Sequence, residues 1–398
     1  MSLHLRAIAR DPAVRTALVL FIVARVVLSV WAVIVLTILP PPAEANEAVR
    51  PYLGEPHLVD GAAGLLLGSW QRFDTMHYLA LARHGYDVPN SVFPPLYPLA
   101  IRALGSATRF LTGLSRGEAN LLAAMALSNL ALLAALILLY RMTLHELGEG
   151  AATRALVYLV LFPVGVFLFA AYTESLFLLF ALGAVWSARR ERPLLAGILG
   201  LLAALTRLTG WGLVAPLAYE YARQRGFDWR RLNWRGLSVL LPPLGLVAFL
   251  AWRAAADLPP LSAVYRDHWF QTTGIPGADL LVALKTVATG AGPRAGEFTL
   301  LFDLFTLALL LLTTAVVFRR LGMTYGLYSL MMLLFMLLPS SDLKPLFSFS
   351  RYALAFFPTF MVLAAAGRNP WLNRLILYPS VALFLYFSGQ FFVWGWVA

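Results

Sequence analysis

The sequence predicts an all-α, polytopic membrane protein that forms a single transmembrane domain over residues 1–398. Hydrophobic residues make up 60% of the chain and charged residues only 13%, against about 25% charged in soluble domains. The mean hydropathy is +0.74, and apolar runs near the length of a membrane-crossing helix recur along the chain. These observations exclude a soluble globular enzyme and a disordered chain.

The charge distribution and the absence of cysteine exclude two further kinds of function, nucleic-acid binding and cysteine chemistry. The formal net charge is +11, but the cations stand in short groups between apolar runs. They do not form the clustered, wet surface that binds nucleic acid. The chain has no Cys, which excludes disulfides, thiolate metal sites and cysteine nucleophiles.

Counting the apolar runs predicts about eleven transmembrane helices. The first run is too long for the apolar part of a signal peptide, so we expect a retained span. The long run 193–222 is divided at Arg207 and Gly210, because an Arg beside a Gly is a poor helix centre. The predicted spans are residues 16–39, 120–140, 154–172, 174–188, 193–207, 209–222, 237–252, 298–318, 322–338, 352–367 and 371–393.

The distribution of arginines predicts the orientation in the membrane. Basic groups near Arg15, Arg190, Arg230, Arg319 and Arg368 all fall on one side only if residues 40–119 form one long loop on the other side. The segment 93–113 is then re-entrant or interfacial. The N-terminus is expected in the cytoplasm and the C-terminus outside. The outer segments long enough for chemistry are 40–119, 253–297 and 339–351.

The densest polar cluster lies in the first outer loop, over residues 70–87. Apolar residues recur at helical spacing from Leu66 to Ala80, which predicts an amphipathic helix in the membrane interface. On such a helix Asp74, His77 and His84 fall within about 80° of one another. A carboxylate beside imidazoles can act as a general base, whereas the plainer interpretation is a solvated polar face. A metal site on these three residues is sterically allowed, so no cofactor is predicted but a divalent cation stays open.

Other outer-side residues are candidates for binding or for structure. The proline-rich stretch 93–98 either shapes a groove for a lipid tail or is a plain connector. Glu174 lies between two spans and either faces the interior or begins a helix. The outer cations could bind a lipid phosphate, or each could anchor the chain at the interface; they are Arg207, Arg351, Lys344, Arg266 and His268. Asp303 and Asp342 are further outer acids, and Arg25 is expected to snorkel or to pair inside the bundle.

Several motifs resemble a known family. Arg72-Phe73-Asp74-x-x-His77-Tyr78, followed by Ala82-Arg83-His84-Gly85-Tyr86 and Phe93-Pro94-Pro95-Leu96-Tyr97-Pro98, resembles the first-loop signature of PIG-V-type mannosyltransferases. Phe162-Pro163 and Ala170–Phe177 are similar to the second signature, and Thr206–Gly210 to the third. Ser350–Leu354 with Phe357-Pro358 resembles a motif of the bacterial members. The matches span residues 70–360 in the family's order.

The resemblance implies a fold and an activity. The family belongs to the GT-C superfamily of polytopic glycosyltransferases, so a GT-C-like membrane fold is expected. The implied reaction moves one sugar, mannose, from a polyprenyl-phosphate donor to a lipid or glycan acceptor, with inversion. It would take place on the extracytoplasmic face, here of a bacterial plasma membrane.

The resemblance also implies roles for individual residues. By position, Asp74 is the base that deprotonates the acceptor hydroxyl. His77, His84 and Glu174 would orient the acceptor or Asp74. Arg207 and Arg351, with Lys344 and His268 behind them, would bind the donor phosphate. The expected partners are the donor, the acceptor and membrane lipids.

Two other functions are open at this point. A lipid or sugar transporter or flippase usually shows repeated halves and broken helices at mid-membrane, and no matching halves are visible here. A non-catalytic scaffold or subunit of a glycan synthase is the third possibility, and the sequence alone does not separate it from the transferase.

Overall fold

The computed structural model describes residues 11–40, 53–55, 57–58, 61–231, 233–292, 294–341 and 343–397. Arg6 and Arg10, which belong to the predicted basic group near Arg15, and Asp342, a predicted outer acid, lie outside these residues. In the described part the chain is almost entirely helical. The helices are α1 (Pro12–Ile38), α2 (Gly61–Leu66), α3 (Asp74–His84), α4 (Leu96–Thr112), α5 (Arg116–Leu147), α6 (Glu149–Val160), α7 (Val166–Phe169), α8 (Glu174–Arg189), α9 (Pro193–Thr206), α10 (Val214–Arg223), α11 (Leu241–Ala255), α12 (Leu261–Trp269), α13 (Ala278–Thr289), α14 (Phe298–Arg320), α15 (Met323–Leu337), α16 (Phe349–Tyr352), α17 (Phe357–Ala366) and α18 (Pro370–Phe392).

Shorter elements connect these helices. The 3₁₀-helices are Gly68–Trp70, Pro89–Val92, Leu208–Leu213, Trp229–Arg231, Trp234–Leu240 and Ala353–Ala355. Two short strands, β1 (Thr272–Thr273) and β2 (Pro339–Ser340), pair antiparallel, with Thr272 opposite Ser340. The described residues divide into two compact units, one within the ranges 1–85, 97–179 and 363–397, and the other within 86–96 and 180–362.

The first unit is built around the long helix α5. A capping box of Ser115 and Glu118 begins this helix, which satisfies two of its free N–H groups. It packs against α1, α3, α6 and α7, and α1 also packs against α18. Small residues such as Ala17 and Ala24 line the buried face of α1, while Val19 and Val26 are exposed on the other face. Small residues at a packed face allow close helix approach, and an exposed apolar face suits a lipid environment.

The second unit centres on α9. This helix packs against α11 and the 3₁₀-helix Leu208–Leu213, and α10 packs against α15. Gly210 lies so close to α9 that a Cβ there would stand 2.4 Å from the carbonyl carbon of Ala203. Only a glycine fits this approach, so the turn after Arg207 has a steric requirement for it.

The number of predicted spans is not confirmed. Within the described residues five helices are long and apolar enough to cross a membrane, and six if the bent pair Phe349–Ala355 and Phe357–Ala366 is one span. Helices such as α9 and α15 have 14 and 15 residues, and at 1.5 Å per residue they fall short of a roughly 30 Å apolar layer. These spans identify an integral membrane protein.

Several predicted helices are divided in the structure, among them 209–222, which is a 3₁₀-helix followed by α10, and 352–367, which is bent before α17. The run 154–172 is not one helix, because α6 ends at Val160 just before Phe162-Pro163 and only the short α7 follows. The amphipathic helix expected from Leu66 onward is interrupted, and α3 begins at Asp74. Arg72 directs its guanidinium to the carbonyl oxygen of Gly68 at 2.7 Å, which closes the preceding turn. Trp70 and Met76 are fully buried, so the apolar face of this region packs in the protein core.

The segment 93–113 contains helix α4. Its face with Tyr97 and Ile101 is buried, whereas Phe110 and Leu111 are 89% and 79% exposed. Phe93, just before it, has the extended backbone that its following prolines favour. The interfacial position proposed for this segment stays a prediction.

Candidate active site

Asp74 is the first residue of α3, and the residue before it holds an unusual backbone. Phe73 has a φ of +47°, which is costly for a residue with a bulky side chain. Its ring packs edge-on against Trp394 and Trp396, with centroids 5.2 and 5.6 Å away, and against Phe391. These aromatic contacts hold the strained turn that sets the position of Asp74.

Three hydrogen bonds join the start of α3 to the segment 171–173. The backbone N–H of Asp74 donates to the Tyr172 hydroxyl at 3.1 Å, and that hydroxyl donates to the carbonyl oxygen of Arg72 at 3.2 Å. The Thr75 hydroxyl donates to the carbonyl oxygen of Ala171 at 3.4 Å. The first and second sequence signatures therefore meet at Asp74.

A second set of buried polar groups holds Tyr172 in place. The Ser128 hydroxyl donates to the carbonyl oxygen of Tyr172 at 2.8 Å, and it lies 2.7 Å from the Tyr97 hydroxyl. Tyr97 is fully buried. Burial raises the pKa of Tyr97, and the nearby negative charge of Glu174 adds to the rise. The segment before Glu174 is therefore fixed by hydroxyl groups that stay protonated.

Glu174 begins α8 and is only 5% exposed. It faces the protein interior, as one of the two sequence interpretations required, and its position at a helix N-terminus favours its negative charge. The hydroxyl of Tyr78, on α3, lies 3.3 Å from the hydroxyl of Thr173, the residue before Glu174. Asp74 and Glu174 are therefore carried by two hydrogen-bonded elements of one unit.

His77 and His84 lie on α3 with Asp74, but their surroundings differ. His77 is half-buried one turn after Asp74. His84 is more exposed and its Nε2 lies 3.1 Å from a carboxylate oxygen of Glu55, which also lies 3.6 Å from Arg83. Glu55 is 4% exposed, and burial raises its pKa against the opposing effect of these two partners. The contact of His84 is therefore with Glu55, which the sequence motifs do not identify.

Arg72 is a structural cation. Its side chain is buried, its Nε donates to the carbonyl oxygen of Phe392 at 2.9 Å, and it lies over the ring of Trp394. Its Nη1 lies 2.9 Å from the His57 Nε2. Burial, together with the nearby charge of Arg72, lowers the pKa of His57 to about 4. A neutral His57 can accept the hydrogen bond from Arg72.

The second unit carries the predicted phosphate-binding arginines. Arg207, at the end of α9, lies over the ring of Tyr352 at 4.9 Å, and Arg351 lies 5.5 Å from the centre of the same ring. Arg351 is 9% exposed. The structure thus brings two arginines that are far apart in the sequence to the ring of one tyrosine.

The other two predicted cations are placed differently. Lys344 is exposed, lies over the ring of Phe347 at 4.6 Å, and lines a cavity that Tyr352 also lines. Burial of part of its side chain lowers the pKa of Lys344. His268 is exposed near the end of α12, beside Asp267. Lys344 therefore shares a cavity with the aromatic ring that both arginines contact.

Several charged residues that the sequence suggested have structural contacts. Asp303 accepts from Arg294 at 3.0 Å, and Arg266 pairs with its neighbour Asp267. Arg25 lies 4.2 Å from the ring centre of Trp70, so it pairs inside the bundle as expected. In the described part of the chain, no group of three His, Asp or Glu side chains is arranged to hold a metal ion.

The comparison with known families matches a large part of the chain. The sequence profile of the family described as mannosyltransferase (PIG-V) matches residues 15–222, which is about half of the chain. The chain belongs to the PIG-V mannosyltransferase family. The matched range contains Asp74, Glu174 and Arg207, whereas Lys344 and Arg351 lie beyond it.

Curated relatives of the PIG-V family are mammalian. The chain is 33% identical over 222 residues to GPI alpha-1,6-mannosyltransferase 2 of Rattus norvegicus, a match that covers 54% of this chain and 42% of the relative. It is 34% identical over 197 residues to the Cricetulus griseus protein of that name, covering 48% and 39%. The chain thus spans less than half the length of these relatives.

Two solved structures are similar at low identity. They are ArnT from Cupriavidus metallidurans bound to undecaprenyl phosphate (16% identity, TM-score 0.46, covering 95% of this chain and 76% of that one) and an Archaeoglobus fulgidus oligosaccharyltransferase tethered with an acceptor peptide (14%, TM-score 0.42, covering 93% and 55%).

Proposed function

We propose that the protein is an inverting mannosyltransferase with a GT-C-like membrane fold of up to eleven spans. It uses a polyprenyl-phosphate mannose donor and a lipid or glycan acceptor, on the extracytoplasmic face of a bacterial plasma membrane. The acceptor oxygen attacks the anomeric carbon, the bond from that carbon to the phosphate oxygen breaks, and the polyprenyl phosphate leaves. Asp74 takes the proton of the acceptor hydroxyl.

The single observation that carries the proposal is the fixed position of Asp74. Its backbone is tied to Tyr172, the preceding residue is strained and held by aromatic rings, and the acid stands in a motif of the PIG-V family. Strain at one residue that its surroundings maintain is typical of functional sites. A general base must be held within reach of the proton that it removes.

The leaving group needs cations rather than a general acid. A lipid phosphate departs as an anion, and positioning with charge stabilisation lowers the barrier. We assign this role to Arg207 and Arg351, because both are arranged around Tyr352, with Lys344 and His268 as further candidates. Arginine forks suit phosphate oxygens.

His77, His84 and Glu174 are assigned to orientation. Glu174 is buried at the start of α8 next to the segment that fixes Asp74, and His77 is one turn from Asp74. His84 already contacts Glu55. Its contact with the acceptor therefore either includes Glu55 or replaces it.

A transfer assay tests the function. Purified protein in liposomes receives polyprenyl-phosphate-[¹⁴C]mannose and a lipid extract from the source membrane, with Asp74→Asn in parallel. The matched control is Asp257→Asn, which changes an exposed acid at a φ of +52° that Asn adopts readily. We expect a labelled product from the native protein and the control, and almost none from Asp74→Asn.

Other outcomes contradict the proposal in distinct ways. Movement of labelled lipid across the bilayer with no glycosylated product indicates a transporter or flippase. A product that forms only when a second protein is co-expressed indicates a subunit of a synthase. Transfer from a glucose donor but not from the mannose donor shows that the sugar is wrong.

A further inference from the structure

We propose that Asp279, Asp303 and Arg294 form a clamp that holds the segment Pro339–Ser350 in the conformation that presents Lys344 and Arg351 to the donor phosphate. The three residues are positioning residues, and the inference rests on the proposed function, since Lys344 and Arg351 are its phosphate-binding candidates. Asp342 of this segment lies outside the described residues.

Asp279 holds the first part of the segment. Its carboxylate is 7% exposed. One oxygen accepts from the Ser340 hydroxyl and from the backbone N–H of Ser341, both at 2.9 Å. The other oxygen accepts from the backbone N–H of Leu346 at 3.4 Å. The carboxylate therefore bridges residues on both sides of Lys344.

Arg294 and Asp303 hold the second part. The Arg294 Nη1 donates to the carbonyl oxygen of Pro345 at 2.7 Å, and its Nη2 donates to Asp303 at 3.0 Å. The other oxygen of Asp303 accepts from the backbone N–H of Ser350 at 2.8 Å. The side chains of this ion pair are 5% and 1% exposed. The chain is thus tied immediately before Arg351.

The segment needs this support because its backbone is strained between the two ties. Leu346 and Ser348 have φ values of +54° and +58°, in the left-handed region that side chains adopt at a cost. Removing the charges of a buried ion pair from water costs free energy that its contacts must offset. Here both members of the pair bind backbone groups of this segment, and Arg294 also donates to the side chains of Glu297 and Thr299. A clamp built this way fixes the path of the chain between two candidate phosphate-binding residues.

The clamp also borders the cavity next to Tyr352. Asp279, Lys344 and Tyr352 all line that cavity, and Tyr352 has Arg351 on one side of its ring. If the segment relaxes, Lys344 and Arg351 lose their fixed separation. Binding of a phosphate by both cations then requires the segment to be ordered at the moment of binding, which weakens the affinity.

A spin label reports the order of the segment without any need for activity. The chain has no Cys, so Leu343→Cys, at a residue 58% exposed, gives one nitroxide site next to Lys344. We expect restricted nitroxide motion in the otherwise native protein, and faster motion when Asp279→Asn or Arg294→Lys is added. Asp257→Asn is the matched control and should leave the motion unchanged. Equal mobility in all four proteins overturns the clamp.

Binding of polyprenyl phosphate to the same purified full-length proteins tests the consequence. We expect the Kd for polyprenyl phosphate to rise roughly tenfold or more in the two clamp variants. In a protein that already carries Lys344→Met and Arg351→Gln, Asp279→Asn should raise the Kd by less than about twofold. An unchanged Kd, or equal effects in both backgrounds, overturns the positioning role. A native protein that does not bind polyprenyl phosphate removes the donor site and this inference with it, whereas native binding with unaffected variants removes the inference alone.

Discussion

The hydroxyl of Tyr172 accepts a hydrogen bond from the backbone N–H of Asp74, 98 positions earlier in the chain. The same hydroxyl donates to the carbonyl oxygen of Arg72. One side chain of the second family signature therefore bridges the strained turn of the first. This relationship makes Tyr172 a determinant of where the proposed base lies.

Tyr172→Phe is expected to lower the rate of mannose transfer strongly, while the protein still folds with a reduced free energy of unfolding. The change leaves a buried N–H and a buried carbonyl group without this partner, at a cost of about 1–3 kcal/mol. A displaced base slows the reaction further, by up to roughly 10²-fold for a shift of about 1 Å. Kinetics and thermal unfolding should be measured together, with Tyr378→Phe, at a residue 65% exposed, as the control. A native kcat in the Tyr172 variant would show that the hydroxyl does not position Asp74.

Arg351→Lys and Arg207→Gln are expected to raise the KM for the donor and to leave the KM for the acceptor nearly unchanged. Hydrogen bonds to charged groups contribute about 1.5–3 kcal/mol, so a loss of roughly tenfold or more in donor affinity follows for each variant. Arg230→Lys, at an exposed arginine, is the control. If both substitutions change only the acceptor KM, the assignment of these arginines to the donor is wrong.

Gly210→Ala is expected to destabilise the turn after Arg207. The new Cβ would stand 2.4 Å from backbone atoms of α9, and backbone cannot move away as a flexible side chain can. We expect a lower unfolding temperature and a weaker interaction with the donor. Gly150→Ala is the comparison, because its Cβ would meet only the end of the Arg154 side chain at 3.4 Å. Equal stability of the two variants would contradict the steric role of Gly210.

His57 is expected to make the fold sensitive to acid. Its pKa is lowered from 6.5 to about 4 in the folded protein, so the folded state binds fewer protons than the unfolded state between these values. Its contribution to stability is therefore complete above about pH 6.5 and is lost as the pH falls towards 4. Thermal unfolding at pH 7 and pH 4.5 should show a smaller pH effect in His57→Gln than in the native protein.

The control for this pH effect is His145→Gln, because the His145 side chain is 63% exposed. This variant should keep the native difference between the two pH values. A His57→Gln protein with the full native pH effect would show that other groups cause the acid sensitivity.

The sequence predicts a helical membrane protein for an identifiable physical reason. Low charge and repeated apolar runs indicate membrane helices, because each run must bury itself in an apolar medium. Asp74, Glu174 and Arg207 stand in motifs, and their roles in the site stay predictions. The lengths and breaks of the helices are harder to predict. Helix α3 begins only at Asp74, after Arg72 closes the preceding turn on Gly68 and donates to the distant carbonyl oxygen of Phe392, and such contacts leave no periodic pattern in the sequence.

The supporting residues were not visible in the sequence. Glu55 and His57 lie outside every motif. Tyr172 acts on Asp74 and Arg72, which are distant from it in the chain. Asp279 and Arg294 bind backbone groups of another segment, which no spacing rule predicts. Asp303 had been noted as an outer acid, but only its buried pair with Arg294 shows that it stabilises a segment.

The most direct test of the central claim is to measure donor binding and turnover of Asp74→Asn side by side. General bases contribute roughly 10²–10⁴-fold to a rate. We predict a native Kd for polyprenyl-phosphate mannose, a native unfolding temperature, and a kcat lower by about that factor. A variant that binds the donor, stays folded and transfers mannose at the native rate would contradict the claim that Asp74 is the base.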